Sequence, residues 1–275
     1  MSYVDLHLHL LPGVDDGPAD EEQAVLYAAT LAAAGVREAT VTPHVMHARF
    51  PLEIDTIAER TARLQECLDT ERIPLRLHPG GEIHPAGATD LGADGLDLIA
   101  HGPPGARWVL LEVPFGGISR LFLDACRHIR THGFGLLIAH PERASGLLAG
   151  GLARLRPEMA AGAVLQVSVC SLLGRHGTEA QEAAEHLVRT GLAYVLASDG
   201  HGGARGHTLA DGVGPARRAG ASALQAWQLT QANPALLLRH GIVPEPPRSA
   251  RTWSARTQRS VGAAREAARR LAARA

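Results

Sequence analysis

Histidine and carboxylate side chains recur along this 275-residue chain in short clusters, and nearly every cluster closes an apolar, strand-like run. Val4-Asp5-Leu6-His7-Leu8-His9 comes first, with Asp15-Asp16-Gly17 soon after. Ala39-Thr40-Val41-Thr42 runs into Pro43-His44, and Gly80-Gly81 leads to Glu82. Trp108-Val109-Leu110-Leu111 ends at Glu112, and Gly135-Leu136-Leu137-Ile138-Ala139 ends at His140. Ala193-Tyr194-Val195-Leu196-Ala197 ends at Ser198-Asp199-Gly200-His201. Imidazole and hard oxygen donors at successive strand ends describe a multinuclear metal site on a barrel-like α/β scaffold.

His-x-His on a strand carries weight because a period of two puts His7 and His9 on one face, here the barrel interior. Two imidazoles buried together are costly unless something satisfies them, and a metal ion does so. The candidate ligands are His7, His9, Asp16, His44, Glu82, Glu112, His140, Asp199 and His201; the other ten of the fifteen histidines read as ordinary satisfied or exposed side chains. A mononuclear zinc site takes about three protein ligands, so this set implies two or three ions sharing bridging groups. Imidazole and carboxylate without thiolate suit manganese, iron or zinc. Two close ions point to hydrolysis. Arg143, in His140-Pro141-Glu142-Arg143, and Arg205, four residues after His201, would project over the metal face. A planar guanidinium suits phosphate oxygens.

The elements that must carry these groups alternate. Strands are expected over 4–8, 39–42, 75–83, 108–113, 135–139, 164–169 and 193–197. Helices are expected over 21–34, 53–69, 118–131, 152–161, 178–190 and 222–230. Asn233-Pro234 opens a last short helix that Gly241 stops. Asp20, with Gln23 three residues on, reads as the first helix cap. Residues 85–105 read as a loop excursion with a short helix. Alternation with short connections argues for parallel strands and right-handed crossovers. An open sheet would gather its ligands at one switch point. Here almost every strand end contributes, which favours a closed or nearly closed seven-stranded barrel.

The length suits one large domain over 1–243. A net charge of −1 gives no argument for a nucleic-acid partner. No run of about 18 apolar residues suggests a transmembrane segment, and the first residues do not resemble a signal peptide. Cys67, Cys126 and Cys170 form no CxxC pair and suggest reduced thiols in a cytoplasmic protein. Residues 244–275 form a Pro-rich break and an Arg/Ala-rich tail. From 248 onward the tail holds eight Arg and one Glu, +7, so subtraction from −1 leaves −8 for the rest. Such a tail folds back on the acidic body or meets an acidic surface.

The long first motif, Asp5-Leu6-His7-Leu8-His9-Leu10-Leu11-Pro12-Gly13-Val14-Asp15-Asp16-Gly17-Pro18, resembles that of the PHP superfamily. So do Thr42-Pro43-His44, Gly81-Glu82-Ile83, Leu111-Glu112-Val113-Pro114, Ser171-Leu172-Leu173-Gly174 and Ala197-Ser198-Asp199-Gly200-His201. With His140-Pro141-Glu142-Arg143, the first motif is similar to that of the CpsB/CapC-type bacterial tyrosine phosphatases in particular. The resemblance spans about 3–240. It implies a distorted TIM-like (β/α)7 barrel of the PHP type, three metal ions with manganese preferred, and phosphotyrosine hydrolysis. It implies a cytoplasmic enzyme of capsule or exopolysaccharide regulation whose protein substrate is a tyrosine autokinase. Carried over, the nine residues above are the ligands, and Arg143 and Arg205 bind phosphate. The segment from Asp199 to Arg205 looks slightly shorter than is usual in the family, and the tail matches nothing expected of it. Three rivals remain: a small-molecule PHP phosphoesterase acting on histidinol phosphate, a non-catalytic metal-stabilised binding protein, and a cysteine phosphatase built on Cys170 and Arg175. In the last, the spacing of five is one short of that motif.

Overall fold

A computed structural model describes residues 2–243. Nine strand segments alternate with helices, and every pairing between them is parallel. β1 (Tyr3–Leu8) leads to α1 (Glu21–Ala33), β2 (Val36–Val41) and β3 (His44–Val45). Then come α2 (Ile57–Thr70), β4 (Arg76–Pro79), β5 (Glu82–Ile83), α3 (Pro85–Ala88) and α4 (Ala93–Ile99). β6 (Trp108–Glu112), α5 (Arg120–Thr131), β7 (Gly135–Ala139), α6 (Leu152–Ala160) and β8 (Val164–Ser168) follow. α7 (Val169–Leu172), α8 (Thr178–Arg189), β9 (Ala193–Ala197), α9 (Leu209–Arg218), α10 (Ala223–Trp227) and α11 (Asn233–His240) complete the described residues.

The sheet orders are β1-β2-β4 and β3-β5-β6-β7-β8-β9. They are halves of one ring. β2 runs into β3 across Thr42-Pro43, where proline withholds a ladder donor, and β4 runs into β5 across Gly80-Gly81. The expected strand over 75–83 is therefore two pieces, and counting each interrupted strand once leaves seven. The ring closes where β1 meets β9. Leu8 bridges Gly200, Asp199 N–H donates to His7 O at 3.0 Å, and His9 N–H donates to Gly200 O at 2.9 Å.

Packing follows from the pattern. Apolar residues of the strands and helices form one large buried cluster that includes Leu31, Leu64, Phe122, Ile129, Leu165 and Leu187. A smaller one joins Val4, Leu6, Trp108, Leu110, Leu137 and Val195 to Leu237 of α11, and Trp108 Nε1 donates to the Leu237 carbonyl at 3.1 Å. Burying one such large side chain contributes roughly 1.5–3 kcal/mol. α1 begins where its cap was expected: Gln23 N–H donates to Asp20 Oδ1 at 2.9 Å.

α9 had no counterpart among the expected elements. Its capping box, Thr208 with Asp211, is present in the sequence, but Gly212, Gly214 and Pro215 inside the helix mask it. The expected loop over 85–105 holds two short helices, α3 and α4. Among the described residues no helix is long and apolar enough to cross a membrane. The tail from 244 lies outside the described residues.

Candidate metal centre

The strands deliver their polar ends to one cavity of about 560 Å³. That lies within the ~300–1,000 Å³ common for small-molecule sites. Eight of the nine expected ligands fall into three groups whose donor atoms lie within 4.8 Å of one another. The groups are His9, Asp16, His44 and His201; His7, His9 and Glu82; and Glu82, Glu112 and His140. His9 and Glu82 each belong to two groups. Asp199, the ninth, sits beside them, its Oδ1 3.5 Å from His7 Nε2 and 3.7 Å from His9 Nε2.

Glu82 is the hub. Its carboxylate oxygens lie 3.2 Å from His7 Nε2, 3.4 Å from His9 Nε2, 3.1 Å from His44 Nδ1 and 2.9 Å from His140 Nε2. It is 1% exposed. Burial pushes its carboxyl up, but the charges of His7 and His44 outweigh that and hold it well below its usual value. At Glu112 the charges of Arg143 and His7 are too weak to do the same. Burial, and then the charge of Glu82, pushes it up to about 8.

Ring orientation makes the case for ions. His7 Nδ1 donates to Gln166 Oε1 at 3.1 Å, His9 Nδ1 to Asp15 Oδ2 at 2.7 Å, and His201 Nδ1 to the Asp199 carbonyl at 2.9 Å. With each Nδ1 held by an outward acceptor, each Nε2 is the nitrogen left facing inward, the orientation from which a neutral histidine binds metal. The Nε2 atoms of His7 and His9 lie 3.1 Å apart. His44 Nδ1, Glu82 Oε2 and Glu112 Oε2 are buried without a hydrogen-bond partner. Such groups are costly inside a protein unless a cation meets them. The donor set fits two or three divalent ions.

The backbone supports the same reading. His140 (φ 33°) and Asp199 (φ 51°) are two of four non-glycine residues in the left-handed region among the described residues. Strain of that kind, of order 1–3 kcal/mol, persists where the surroundings impose it, often at functional sites.

Arg143 Nη1 donates to Asp199 Oδ2 at 3.0 Å, and its guanidinium lies 4.5 Å from the centre of the Phe115 ring. Arg205 donates through Nη1 to Asp16 Oδ2 at 2.6 Å and through Nη2 to His201 Nε2 at 2.8 Å. Both arginines line the cavity, as their spacing from His140 and His201 suggested.

Several residues here were not singled out from sequence. Asp15 receives His9 Nδ1 and also the His44 N–H, at 3.0 Å. Gln166 accepts from His7 and from the His140 N–H at 3.1 Å. Asp5, fully buried, accepts from the Ser198 N–H at 3.1 Å. Glu142 accepts from the Ser168 N–H at 2.8 Å. A polar side chain inside an apolar strand, as in Val164-Leu165-Gln166-Val167, was the available signal. His47, His176 and His207, taken as ordinary, line the cavity without joining a ligand group. Cys170 lines it too, but burial, and then the charge of Asp199, pushes its thiol up to about 11. A thiolate nucleophile is thereby disfavoured at neutral pH.

A family model described as "Capsular polysaccharide synthesis, CpsB/CapC" matches residues 3–239. The CapC protein of Staphylococcus aureus is 29% identical over 199 residues, covering 72% of this chain and 76% of its own length. The tyrosine-protein phosphatase YwqE of Bacillus subtilis is 28% identical over 198 residues, covering 72% and 77%. A solved structure from a study of YwqE and of CpsB from Streptococcus pneumoniae, described as unique metal-dependent tyrosine phosphatases, superposes with a TM-score of 0.75 at 26% identity. It covers 90% of this chain and 98% of that one.

Proposed function

Because the chain belongs to the CpsB/CapC family, we propose that it is a metal-dependent protein-tyrosine phosphatase acting in capsule or exopolysaccharide synthesis. The single observation that carries this reading is the three overlapping donor groups beneath two arginines in one cavity. His7, His9, Asp16, His44, Glu82, Glu112, His140, Asp199 and His201 would hold two or three ions, manganese by preference, with iron or zinc as alternatives. Ions held there would activate water for attack and neutralise charge on the phosphoryl oxygens.

The protein's own residues supply the rest. Asp15, Gln166 and the Asp199 carbonyl fix the ring tautomers of His9, His7 and His201. Arg143 and Arg205 each anchor one N–H on a ligand carboxylate. Arg205 also donates to His201 Nε2, and the N–H groups not so engaged are left to hold phosphoryl oxygens as charge develops on them. A tyrosine leaving group has a pKa of about 10, so phenolate departs without a dedicated proton donor, whereas a serine alkoxide does not. The free cysteines suit a reducing, cytoplasmic setting, where we place a tyrosine autokinase as the protein substrate.

Turnover of a phosphotyrosine peptide, compared with histidinol phosphate, tests the reading on the manganese-loaded protein. Preference for the peptide is expected. Preference for histidinol phosphate would make the chain a small-molecule phosphoesterase, and turnover of neither would leave a metal-stabilised binding protein.

A further inference from the structure

Four arginines line the cavity, and they divide into two kinds. Arg143 is ion-paired with the buried Asp199, and the exposed Arg205 is ion-paired with Asp16. Arg49 and Arg175 are exposed and make no ion pair with any described residue. The carboxylates that line the cavity are Asp16, Glu82, Glu112 and Asp199, all of them candidate ligands. Three of these carboxylates are buried and the fourth, Asp16, is paired with Arg205, so Arg49 and Arg175 stand as unbalanced positive charge on the rim.

The two free arginines stand on nearly opposite sides of the mouth. Arg49 follows β3, and Arg175 follows α7 at the end of β8. Around the seven-stranded ring they are separated by three strands in one direction (β5, β6, β7) and by two in the other (β9, β1). Each is tethered. Arg49 lies 5.4 Å from the centre of the Phe50 ring, and Phe50 stacks on His44 at 5.3 Å with the planes 5° apart. Arg175 N–H donates to the Cys170 carbonyl at 3.0 Å, and its charge acts on Cys170 and His207, both of which line the cavity.

We propose that Arg49 and Arg175 form a two-sided anion-binding rim that selects phosphotyrosine segments carrying acidic groups on both sides of the target residue. This rests on the phosphatase reading above. A chain crossing the mouth with its phosphotyrosine directed at the floor sends its preceding and following residues towards opposite rims. An extended chain advances about 3.3 Å per residue, so the groups that reach the rim lie within a few positions of the tyrosine. A guanidinium fork accepts either a carboxylate or a second phosphoryl group. Exposed contacts of this kind are weak singly and screened by salt, and they act mainly on encounter and KM.

The test uses the full-length, manganese-loaded protein and phosphotyrosine peptides of four kinds: neutral flanks, glutamate on one side, glutamate on both sides, and a second phosphotyrosine nearby. The expected preference for doubly acidic over neutral flanks is roughly threefold per contact, about tenfold in kcat/KM at low ionic strength, and it shrinks at high salt. Arg49→Ala and Arg175→Ala should each erase the preference for acid on one side. The double variant should bring the ratio to about one, and Lys at either position should restore part of it. The ratio within each enzyme cancels differences in folding or metal loading. Preference for glutamate identifies carboxylates as the anion, and preference confined to the doubly phosphorylated peptide identifies phosphoryl groups. Equal turnover of all peptides by the parent enzyme, or a preference that survives the double substitution, overturns the rim. Failure to hydrolyse any of them overturns the phosphatase reading instead.

Discussion

Arg143→Ala separates a phosphate-holding arginine from a structural one. The guanidinium touches Asp199 at 3.0 Å and rests on Phe115 at 4.5 Å, and its side chain is 19% exposed. One N–H is already engaged, so the remainder of the fork is what a phosphoryl group would meet. A hydrogen bond to a charged group contributes about 1.5–3 kcal/mol net. At about 1.4 kcal/mol per tenfold, losing that interaction predicts a fall of roughly 10² in kcat/KM. Removing the arginine also strips Asp199 of a partner that helps hold its carboxyl low, alongside His7 and His140, and that can loosen a bound ion. The assay is therefore steady-state hydrolysis of an aryl phosphate at saturating manganese, with metal content measured on the same sample and inhibition by inorganic phosphate measured alongside. Expected are near-normal metal content, weakened phosphate inhibition and the hundredfold loss. Arg143→Lys should recover part of the loss, because it keeps the charge without the fork. Parent kinetics at full metal occupancy would remove Arg143 from the site. Loss that tracks metal content alone would assign it to holding Asp199.

Three further outcomes follow from named residues. Prolonged dialysis against chelator should abolish turnover, with Mn²⁺ restoring more than Mg²⁺, because imidazole donors suit the former; full activity in chelator would refute a metal-dependent reaction. His140→Ala and Asp199→Ala should each be inactive, while Cys170→Ser keeps most of its turnover, since a thiol pushed up to about 11 offers no nucleophile; a folded, metal-loaded but dead Cys170→Ser would reverse that assignment. His101 is buried, neither of its ring nitrogens has a partner, and burial, then the charges of His78 and Arg107, lowers it from 6.5 to about 3. Between those pH values the unfolded chain binds a proton that the folded chain refuses, so stability falls with falling pH by about 1.4 kcal/mol per unit from this group. His101→Phe should flatten the slope of urea-unfolding stability between pH 7 and pH 5, and an unchanged slope would show that His101 is protonated in the fold.

The sequence by itself determined which histidines and carboxylates close the strands and the alternation that presents them. A histidine or carboxylate closing an apolar run is visible because the strand pattern is local and the polar terminus interrupts it, and the nine expected ligands come together for that reason, seven of them lining one cavity and His7 and His9 lying against Glu82 and Asp199. The cap at Asp20 was legible on the same local grounds, being a side chain bonded three residues away. What stayed hidden depended on distant segments or on residues that oppose their own element. α9 was obscured by glycine and proline in its interior, and the strands interrupted at Thr42-Pro43 and Gly80-Gly81 looked continuous or were cut short. Asp5 and Asp15 stood inside the first motif without a role and Gln166 looked like an unremarkable polar residue, and their work appears only when Asp5 meets Ser198, Asp15 meets His44, and Gln166 meets both His7 and His140. Which nitrogen of His7 and His9 turns inward is likewise a tertiary decision, because the outward acceptors, Gln166 and Asp15, come from another strand and a separate loop. The rim was invisible for the same reason. Arg49 and Arg175 lie far apart in an arginine-rich chain, and only closure of β1 on β9 sets them across one mouth from each other.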